Sequence, residues 1–419
     1  NNKGYLKKLV KNKSITQDEM DKCLLVMESE YWKPLKSEWN KMQKTVNTSF
    51  NTKIKMKVFA YNELGEQVKE MTPMDSIKYH LQHMQIGSVA VDPKTGNILA
   101  WLGGIGNKYF QYDHVNSNRQ VGSTFKPFIY STAIIENAMS PCYKVQDVKQ
   151  CIQANDPNFN LSSTWCPSNS DNKFSGLSFT LRQALKESKN SVSVFLMKEI
   201  GNVQSVKNLV GNLGIDKNKI PDYPSICLGT PELSVMDMAT AYTAFANDGI
   251  VTKPVFVTRI EDKNGRVIYT SVPEQKRAIN PAYNYVIVNM LKYVASVVQH
   301  KFKSEIAGKT GTTNDYKDGW FVGFTPEIVI STWVGGDQEF IRFNTLSDGQ
   351  GAVMARPFFE KLLMKIEADN LLGFGKNPVF MRPEDEMIEM DCSKYETGIP
   401  GEEDADKKNQ KTSDFDEEF

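Results

Sequence analysis

The chain has 419 residues, of which 40% are hydrophobic and 24% are charged. This composition predicts a folded protein with a sizeable core, either one large domain with extensions or two domains. Because Lys+Arg and Asp+Glu both number 50, the formal net charge is near zero, which does not favour nucleic acid or an anionic membrane as the main partner.

The N-terminal part of the chain predicts a linker or pedestal rather than a catalytic unit. Residues 1 to about 50 have the pattern of basic, broken helices with a helix start at Thr16, and Lys53 to Phe59 alternate charged and apolar residues as a half-exposed strand does. The sequence starts at Asn1, shows no signal peptide and has no apolar run near the about 20 residues that span a bilayer. We therefore expect a piece of a longer precursor, with any membrane anchor upstream.

The pattern changes near Gly87, where GSVAVD, PKTG and NILAWLGG predict a β-hairpin. A helical segment from Thr124 to Ile135 follows, then a loop-rich stretch at 139–178, then two amphipathic helices that break at Lys189 and Asn190. From Ile306 the pattern returns to strands. The order of hairpin, helices and strands predicts one mixed sheet with helices over both faces.

The cysteines and histidines predict neither a metal site nor a cofactor, since they form no C-x-x-C pair and no H-E-x-x-H motif. Cys142, Cys151 and Cys166 lie close together in the loop-rich stretch. Two of them could pair in an oxidising compartment, and the sequence does not say which two. Cys227 has apolar neighbours and is expected to be a small buried residue.

Three short motifs carry the predicted chemistry. They are Ser123-Thr124-Phe125-Lys126, Ser188-Lys189-Asn190 and Lys309-Thr310-Gly311-Thr312. A serine hydroxyl needs a base within hydrogen-bond reach to act as a nucleophile at neutral pH. Lys126 follows Ser123 by three residues at the start of a helical run, which places both side chains on one helical face. Burial and the cation of Lys309 would lower the pKa of Lys126, so that it could accept the serine proton.

The other two motifs lie in contexts that favour function. Ser188-Lys189-Asn190 falls between two helices, a rigid place from which to present a hydroxyl and an amide. Lys309 to Thr312 lie within a predicted strand, where the lysine ammonium and the threonine hydroxyls could bind a carboxylate. We expect Gly311 to let the backbone of a ligand approach closely.

Two further matches to these motifs are interpreted as turns. Lys94-Thr95-Gly96 follows Asp92-Pro93 in the predicted hairpin, so turn chemistry explains it. Ser170-Asp171-Asn172-Lys173 satisfies both S-D-N and S-x-x-K, but it lies in the loop-rich stretch with no helix directly after it. Because each tripeptide alone is a weak signal, the context decides, and it favours Ser123 over Ser170.

Four segments resemble, in order and spacing, the transpeptidase domain of class A penicillin-binding proteins. They are RQVGSTFKPFIYSTAI, TLRQALKESKNSVSVFLMKEIG, CLGTPELSVMDMATAYTAFANDG and AGKTGTTNDYKDGWFVGFTP. One departure is Val121, where the family often has proline. The chain also lacks the E-D-x-x-F type motif of the family's upstream glycosyltransferase domain, so we expect that domain to be absent here.

The resemblance implies an α+β fold of the serine β-lactamase/D,D-peptidase type, with a mixed, mainly antiparallel sheet and helices on both faces. It implies a linker or pedestal at 1–85, a penicillin-binding transpeptidase domain at 86–368 and a C-terminal extension at 369–419. From about Glu384 the Glu-, Asp- and Lys-rich tail is expected to be disordered. The resemblance further implies a periplasmic position at the inner membrane, anchored by an upstream segment, with cell-wall synthesis proteins as partners.

By this analogy Ser123 attacks a D-Ala-D-Ala stem peptide of peptidoglycan, forms an acyl-enzyme and passes the acyl group to an acceptor amine, and β-lactams would trap the same serine. Lys126 would be the base and Ser188 a proton relay, while Asn190 would hold the donor's amide and steady Lys126. The strand from Lys309 through Thr310 and Gly311 to Thr312 would bind the terminal carboxylate. The N–H groups of Ser123 and Thr312 would form the oxyanion hole.

Two alternatives remain open at this point. A D,D-carboxypeptidase or a β-lactamase would use the same nucleophile and lysine, although no segment resembles the acidic deacylation loop of β-lactamases. A penicillin-sensing receptor or an inactive scaffold would keep acylation and lose cross-linking.

Overall fold

A computed structural model describes residues 2–159, 161–374, 377–384 and 388–394. The chain divides into two compact units, Asn1–Gln82 and His83–Phe419. Within the described ranges, no helix combines the length and apolar character that crossing a membrane requires.

The first unit is built from helices and one hairpin. Its elements are α1 (Asn2–Lys11), α2 (Gln17–Glu28), α3 (Trp32–Asn51), β1 (Ile54–Phe59), β2 (Glu66–Met71) and α4 (Pro73–Leu81). The predicted helix start at Thr16 is confirmed, because its hydroxyl accepts a hydrogen bond from Glu19 N at 3.2 Å and its N–H donates to the Glu19 carboxylate at 2.7 Å. The predicted strand is β1, which pairs antiparallel with β2.

The second unit contains the predicted motifs. Its strands are β3 (Gln85–Val91), β4 (Ile98–Leu102), β5 (Arg119–Gln120), β6 (Lys144–Gln146), β7 (Ser178–Thr180), β8 (Glu232–Leu233), β9 (Ile250–Thr252), β10 (Arg259–Glu261), β11 (Val267–Thr270), β12 (Gln275–Arg277), β13 (Ala307–Thr312), β14 (Asp318–Phe324) and β15 (Val329–Gly335). Its α-helices are α5 (Lys126–Asn137), α6 (Leu181–Lys186), α7 (Asn190–Ile200), α8 (Val203–Asn212), α9 (Val235–Ala246), α10 (Pro281–Gln299), α11 (Leu346–Gly349), α12 (Gly351–Met354) and α13 (Arg356–Ala368).

Strands from both ends of this unit form its central sheet. Among the described residues the strand order is β13-β14-β15-β3-β4, and every pairing is antiparallel. Val329 of β15 lies opposite Val91 of β3, which joins the N-terminal hairpin to the C-terminal strands. The predicted α+β fold with one shared, mainly antiparallel sheet is thereby confirmed, and β13 lies at its edge.

The two faces of the sheet bury different helices, because successive side chains of a strand point to opposite sides. On β14, Trp320, Val322 and Phe324 belong to the core cluster that contains α5 and α9. Phe321 belongs to the cluster on the other face, where its ring centroid lies 5.0 Å from that of Phe359 on α13. The expected helices on both faces are therefore present.

The helix α5 runs through the centre of the core. Every residue from Lys126 to Ile134 is buried. A helix buried on all sides is normally apolar throughout, and a polar group on it must find partners inside the protein. Lys126 is the charged residue in this buried run, so its partners define the site.

The C-terminal extension differs from the expectation of a solvated tail. Ile388 is buried, and Cys392 forms a disulfide with Cys142 at a sequence separation of 250. A local pattern of charge carries no signal for a disulfide to so distant a residue. The segment around Cys392 is therefore attached to the second unit, whereas residues 385–387 and 395–419 of the predicted tail lie outside the described residues.

Candidate active site

Ser123 lies on a short 3₁₀ turn, Gly122–Phe125, immediately before α5. The turn starts at Gly122, whose φ of +54° is left-handed. A Cβ on Gly122 would lie 2.7 Å from Thr312 O, so only glycine permits this close approach. The turn thereby places Ser123, which is partly exposed, beside the end of β13.

The glycine of the third motif also faces the protein rather than a ligand. A Cβ on Gly311 would lie 2.7 Å from Val121 O and 2.9 Å from Thr124 Cγ2. The expectation that Gly311 makes room for a ligand is therefore corrected, because the space is filled by the turn that carries the serine. Val121 N donates to Pro231 O at 3.1 Å, a bond that a proline at this position could not make.

The ammonium of Lys126 is directed at the second motif. Its Nζ donates to Ser188 O at 2.5 Å and to Asn190 Oδ1 at 2.7 Å, and it lies 3.3 Å from Ser188 Oγ. The side chain is fully buried. Among the described residues no hydrogen bond joins Ser123 Oγ to Lys126 Nζ, so the expected contact of nucleophile and base is not made in this state; such contacts often tighten only when substrate binds.

Ser188 links the two lysines of the motifs. It lies between α6 and α7 with a φ of +56°, an uncommon conformation for a residue with a side chain. Its Oγ accepts a hydrogen bond from Lys309 Nζ at 3.1 Å in addition to its contact with Lys126 Nζ. One hydroxyl therefore bridges two buried amines, an arrangement suited to moving a proton between them.

The same burial changes the protonation of both amines. Burial lowers the pKa of Lys126 well below its ordinary value, and the charge of Lys309 lowers this pKa further. Burial also lowers the pKa of Lys309 to about 7. Because two cations that share one hydroxyl repel each other, the state with one neutral amine is favoured. Lys126, on which both causes act, is the amine expected to be neutral.

The remaining residues of the third motif lie along the edge strand. Lys309 Nζ donates to Thr310 O at 3.0 Å, and Thr312 Oγ1 accepts from Gly351 N at 3.1 Å. The latter bond fixes the Thr312 oxygen, and its own hydroxyl proton can still be donated to an anion. The structure thus brings the three predicted motifs together beside the turn that carries Ser123.

The two decoy motifs, Lys94-Thr95-Gly96 and Ser170-Asp171-Asn172-Lys173, form turns as expected, and the lysine of each is exposed. The Asp92 carboxylate accepts hydrogen bonds from Lys94 N at 2.8 Å and from Thr95 Oγ1 at 2.7 Å, which closes the hairpin turn. Ser170 and Lys173 are both exposed, and Lys173 N donates to the Asp171 carboxylate at 3.0 Å.

Asn169, which precedes the exposed Ser170-Asp171-Asn172-Lys173 turn, is a site residue that the sequence did not predict. Asn169 is buried, and its Oδ1 accepts a hydrogen bond from Asn190 N at 2.9 Å. No spacing rule links positions 169 and 190, since one lies in a loop and the other on a helix. The proximity of a buried asparagine to the second motif is visible only in the folded chain.

The cysteine pairing is also settled by the fold. Cys151 pairs with Cys166, and Cys142 pairs with Cys392 rather than with its neighbours in the loop-rich stretch. Cys227 is free and buried, as predicted. Among the described residues no cluster of His, Cys, Asp and Glu could hold a metal ion.

Comparison with known proteins places two family models on the chain. The penicillin binding protein transpeptidase domain matches residues 86–339, and the penicillin-binding protein middle domain matches residues 10–84. Penicillin-binding protein 1A of Neisseria meningitidis is 36% identical over 266 residues, which cover 61% of this chain and 33% of the relative. The chain therefore spans about a third of the length of the curated relatives that it matches.

Solved structures show the same fold. Penicillin-binding protein 1A from Haemophilus influenzae aligns with a TM-score of 0.63 at 22% identity, over 76% of this chain and 51% of that one. The PonA1 protein from Mycobacterium tuberculosis, in complex with penicillin V, aligns with a TM-score of 0.60 at 23% identity, over 84% of this chain and 94% of that one.

Proposed function

The chain belongs to the penicillin-binding protein transpeptidase family, and we propose on this basis that it is a D,D-transpeptidase that cross-links peptidoglycan stem peptides through Ser123. One observation carries the proposal. The buried amines of Lys126 and Lys309 both contact Ser188 Oγ, close to the turn that carries Ser123. This arrangement supports acylation of Ser123, which a D,D-carboxypeptidase and a β-lactamase share, and the family assignment favours an amine over water as the acceptor of the acyl group.

Acylation begins with attack of Ser123 Oγ on the carbonyl carbon of the D-Ala-D-Ala peptide bond. The hydroxyl proton passes to neutral Lys126 Nζ, whose lowered pKa supports this role. The backbone N–H groups of Ser123 and Thr312 hold the resulting oxyanion, a contribution usually worth about 3 kcal/mol for each donor. The approach of the turn to the end of β13 supports this assignment.

The leaving group needs a proton, and Ser188 relays it. When the tetrahedral intermediate collapses, the C–N bond breaks and D-alanine departs as an amine that has gained the proton held by Lys126. The distance of 3.3 Å from Lys126 Nζ to Ser188 Oγ supports a relay through this hydroxyl. Asn190 steadies Lys126 through its Oδ1 and holds the donor's amide.

The donor peptide would bind along β13 as an additional strand, because β13 is the edge of the described sheet. Lys309, Thr310 and Thr312 would bind its terminal carboxylate. An acceptor amine from a second stem peptide then attacks the acyl carbonyl carbon and loses a proton to Lys126. The new C–N bond forms, the ester C–O bond breaks, and Lys126 returns the proton to Ser123 Oγ. A β-lactam would follow the first step and leave Ser123 acylated.

We also propose the cellular setting and the division of the chain. Residues 86–368 would be the catalytic domain, 1–85 its pedestal, and the domain would work at the extracytoplasmic face of the inner membrane, anchored by an upstream segment. The disulfides Cys142–Cys392 and Cys151–Cys166 support an oxidising compartment. Its partners would be cell-wall synthesis proteins.

The experiment that tests the function uses a labelled penicillin and then peptide substrates. We expect one label per chain, located on Ser123 by peptide mass, with an adduct that persists for minutes or longer. Incubation with a D-Ala-D-Ala donor and an amine acceptor should give D-alanine and a cross-linked product. Loss of the label within seconds would indicate a β-lactamase, and D-alanine release without a cross-linked product would indicate a carboxypeptidase.

A further inference from the structure

The start of α7 is capped by a residue from another part of the chain. Asn169 Oδ1 accepts hydrogen bonds from Asn190 N at 2.9 Å and from Ser191 N at 3.2 Å. The residue that precedes the helix, Lys189, makes no side-chain cap. The first N–H groups of a helix have no partner within it, so an external oxygen here fixes the position of the first residue, Asn190.

The same segment determines which way the Asn190 amide points. Asn190 Nδ2 donates to Ser168 O at 2.9 Å, while Asn190 Oδ1 accepts from Lys126 Nζ at 2.7 Å. A backbone carbonyl can only accept a hydrogen bond, so Ser168 O selects the NH₂ end of the amide. The oxygen end is thereby presented to Lys126.

A buried carboxylate holds this segment in place. Asp147 Oδ1 accepts from Asn169 Nδ2 at 2.7 Å and from Ser191 Oγ at 2.6 Å, and its Oδ2 accepts from Ser175 N at 3.0 Å. Asp147 has no exposed surface and Asn169 is 5% exposed. A carboxylate buried with several donors is a rigid anchor, because breaking any one bond leaves a charge poorly solvated.

A disulfide restrains the chain just before this segment. Cys166 is bonded to Cys151, and beside this bond the backbones of Ile152 and Trp165 exchange two hydrogen bonds of 2.9 Å. Asn169 lies three residues after Cys166. The loop that carries Asn169 is therefore tied at its base by a covalent bond, and its tip is tied to Asp147.

From these contacts we propose that Asn169 is a positioning residue for acylation. By accepting the N–H groups of Asn190 and Ser191 it holds the start of α7 where the Asn190 amide, oriented by Ser168 O, meets Lys126. The inference rests on the proposed function. Asn169 is assigned no contact with the substrate. It acts through Asn190, so loss of the Asn169 side chain should lower the acylation rate constant only while the Asn190 side chain is present.

The test is a double-mutant cycle on acylation by a labelled penicillin, with Asn169→Ala, Asn190→Ala and the double variant of the whole chain. We expect Asn169→Ala to lower the acylation rate constant about 10- to 100-fold, because Asn190 Oδ1 would no longer be held against Lys126 Nζ when that amine takes the serine proton and becomes charged. The dissociation constant of the non-covalent complex should change little. Asn169→Ala should then change the rate of the Asn190→Ala variant by less than about twofold. Ser170→Ala, an exposed neighbour, serves as the control.

Melting temperatures show whether each variant is folded at the assay temperature. If Asn169→Ala does not fold, the cycle is run with Asn169→Leu, which keeps the volume of the buried side chain and cannot accept a hydrogen bond. Wild-type acylation by Asn169→Ala, or effects of the two substitutions that simply multiply, would overturn the inference. Absence of label on Ser123 in the unmodified protein would instead overturn the proposed function.

Discussion

The turns around Ser123 and Ser170 carry the same S-x-x-K spacing and have opposite surroundings. Lys126 is fully buried on α5 and donates hydrogen bonds to Ser188 and Asn190. Lys173 is exposed in a polar turn, where water solvates its ammonium. The S-x-x-K spacing therefore only places a lysine three residues after a serine. Burial of that lysine is what lowers its pKa enough for it to act as a base.

The two K-T-G tripeptides repeat the contrast. Lys309 is fully buried, contacts Ser188 Oγ at 3.1 Å and has its pKa lowered by burial to about 7. Lys94 is exposed in a hairpin turn closed by the Asp92 carboxylate. For each of the two motifs, S-x-x-K and K-T-G, the same substitution can be made at the buried lysine and at the exposed one. Equal effects on acylation at the two positions would contradict a role for burial.

The largest expected effect is that of Ser123→Ala, which should abolish covalent labelling by penicillin because it removes the hydroxyl that forms the acyl bond. Ser170→Ala should label at the wild-type rate. Gel fluorescence with a fluorescent penicillin, followed by peptide mass, measures both. A label that survives Ser123→Ala and disappears with Ser170→Ala would reverse the assignment of the nucleophile.

Lys126→Met should lower the acylation rate by about 1,000-fold, within the range for loss of a general base. Methionine fills the space of the lysine side chain up to Cε and removes only the amine, so the fold should be retained. Lys173→Met is the exposed match and should leave the rate unchanged. Stopped-flow acylation with a chromogenic cephalosporin gives both rates, and equal rates for the two variants would refute a special role for burial.

Lys309→Met should weaken acylation efficiency by about 100-fold, the value of a charge-assisted hydrogen bond to a carboxylate. The loss should appear mainly in the dissociation constant of the non-covalent complex, because Lys309 is assigned to binding. Lys94→Met should be neutral. A β-lactam whose carboxylate is esterified should bind the Lys309→Met variant and the wild type with equal dissociation constants. A remaining difference in affinity would argue against binding of the carboxylate by Lys309.

The smallest expected effect concerns stability and pH. The pKa of Lys309 is about 7 in the folded chain and 10.5 in its ordinary state, so between these values the unfolded state binds more protons. The free energy of unfolding should therefore rise with pH in this window, by at most about 1.4 kcal/mol per pH unit from this group. Lys309→Met should flatten the rise and Lys94→Met should not. Urea unfolding at pH 7.5 and 9 measures the slopes, and an unchanged slope in Lys309→Met would contradict the burial effect.

Much of the fold could be predicted because its signals are local. The capping pattern at Thr16, the hairpin turn at Lys94 and the break before Asn190 each depend on residues within a few positions of one another. The shared sheet could also be inferred. When strands lie at both ends of a domain with helices between them, one common sheet lets those helices bury the apolar faces of all the strands. The all-antiparallel order β13-β14-β15-β3-β4 needed the structure.

Other features could not be predicted, since they depend on residues far apart in the chain. Cys142 pairs with Cys392, 250 residues away, although two cysteines lie much closer in sequence. Gly311 faces Val121 O instead of a ligand because the serine turn packs against β13. Asn169 sits beside a decoy motif and nevertheless caps α7, which no periodicity encodes.

For the site itself, the sequence determined which groups are present and which of them are neighbours along a helix or a strand. Ser123 and Lys126 are such neighbours, as are Lys309 and Thr312. The tertiary structure alone decided that Ser188, separated by 62 residues from Lys126 and by 121 from Lys309, bridges both amines. It also decided that both amines are buried. Their lowered pKa values follow from desolvation, which depends on everything packed around a group and cannot be read from the residues next to it in the chain.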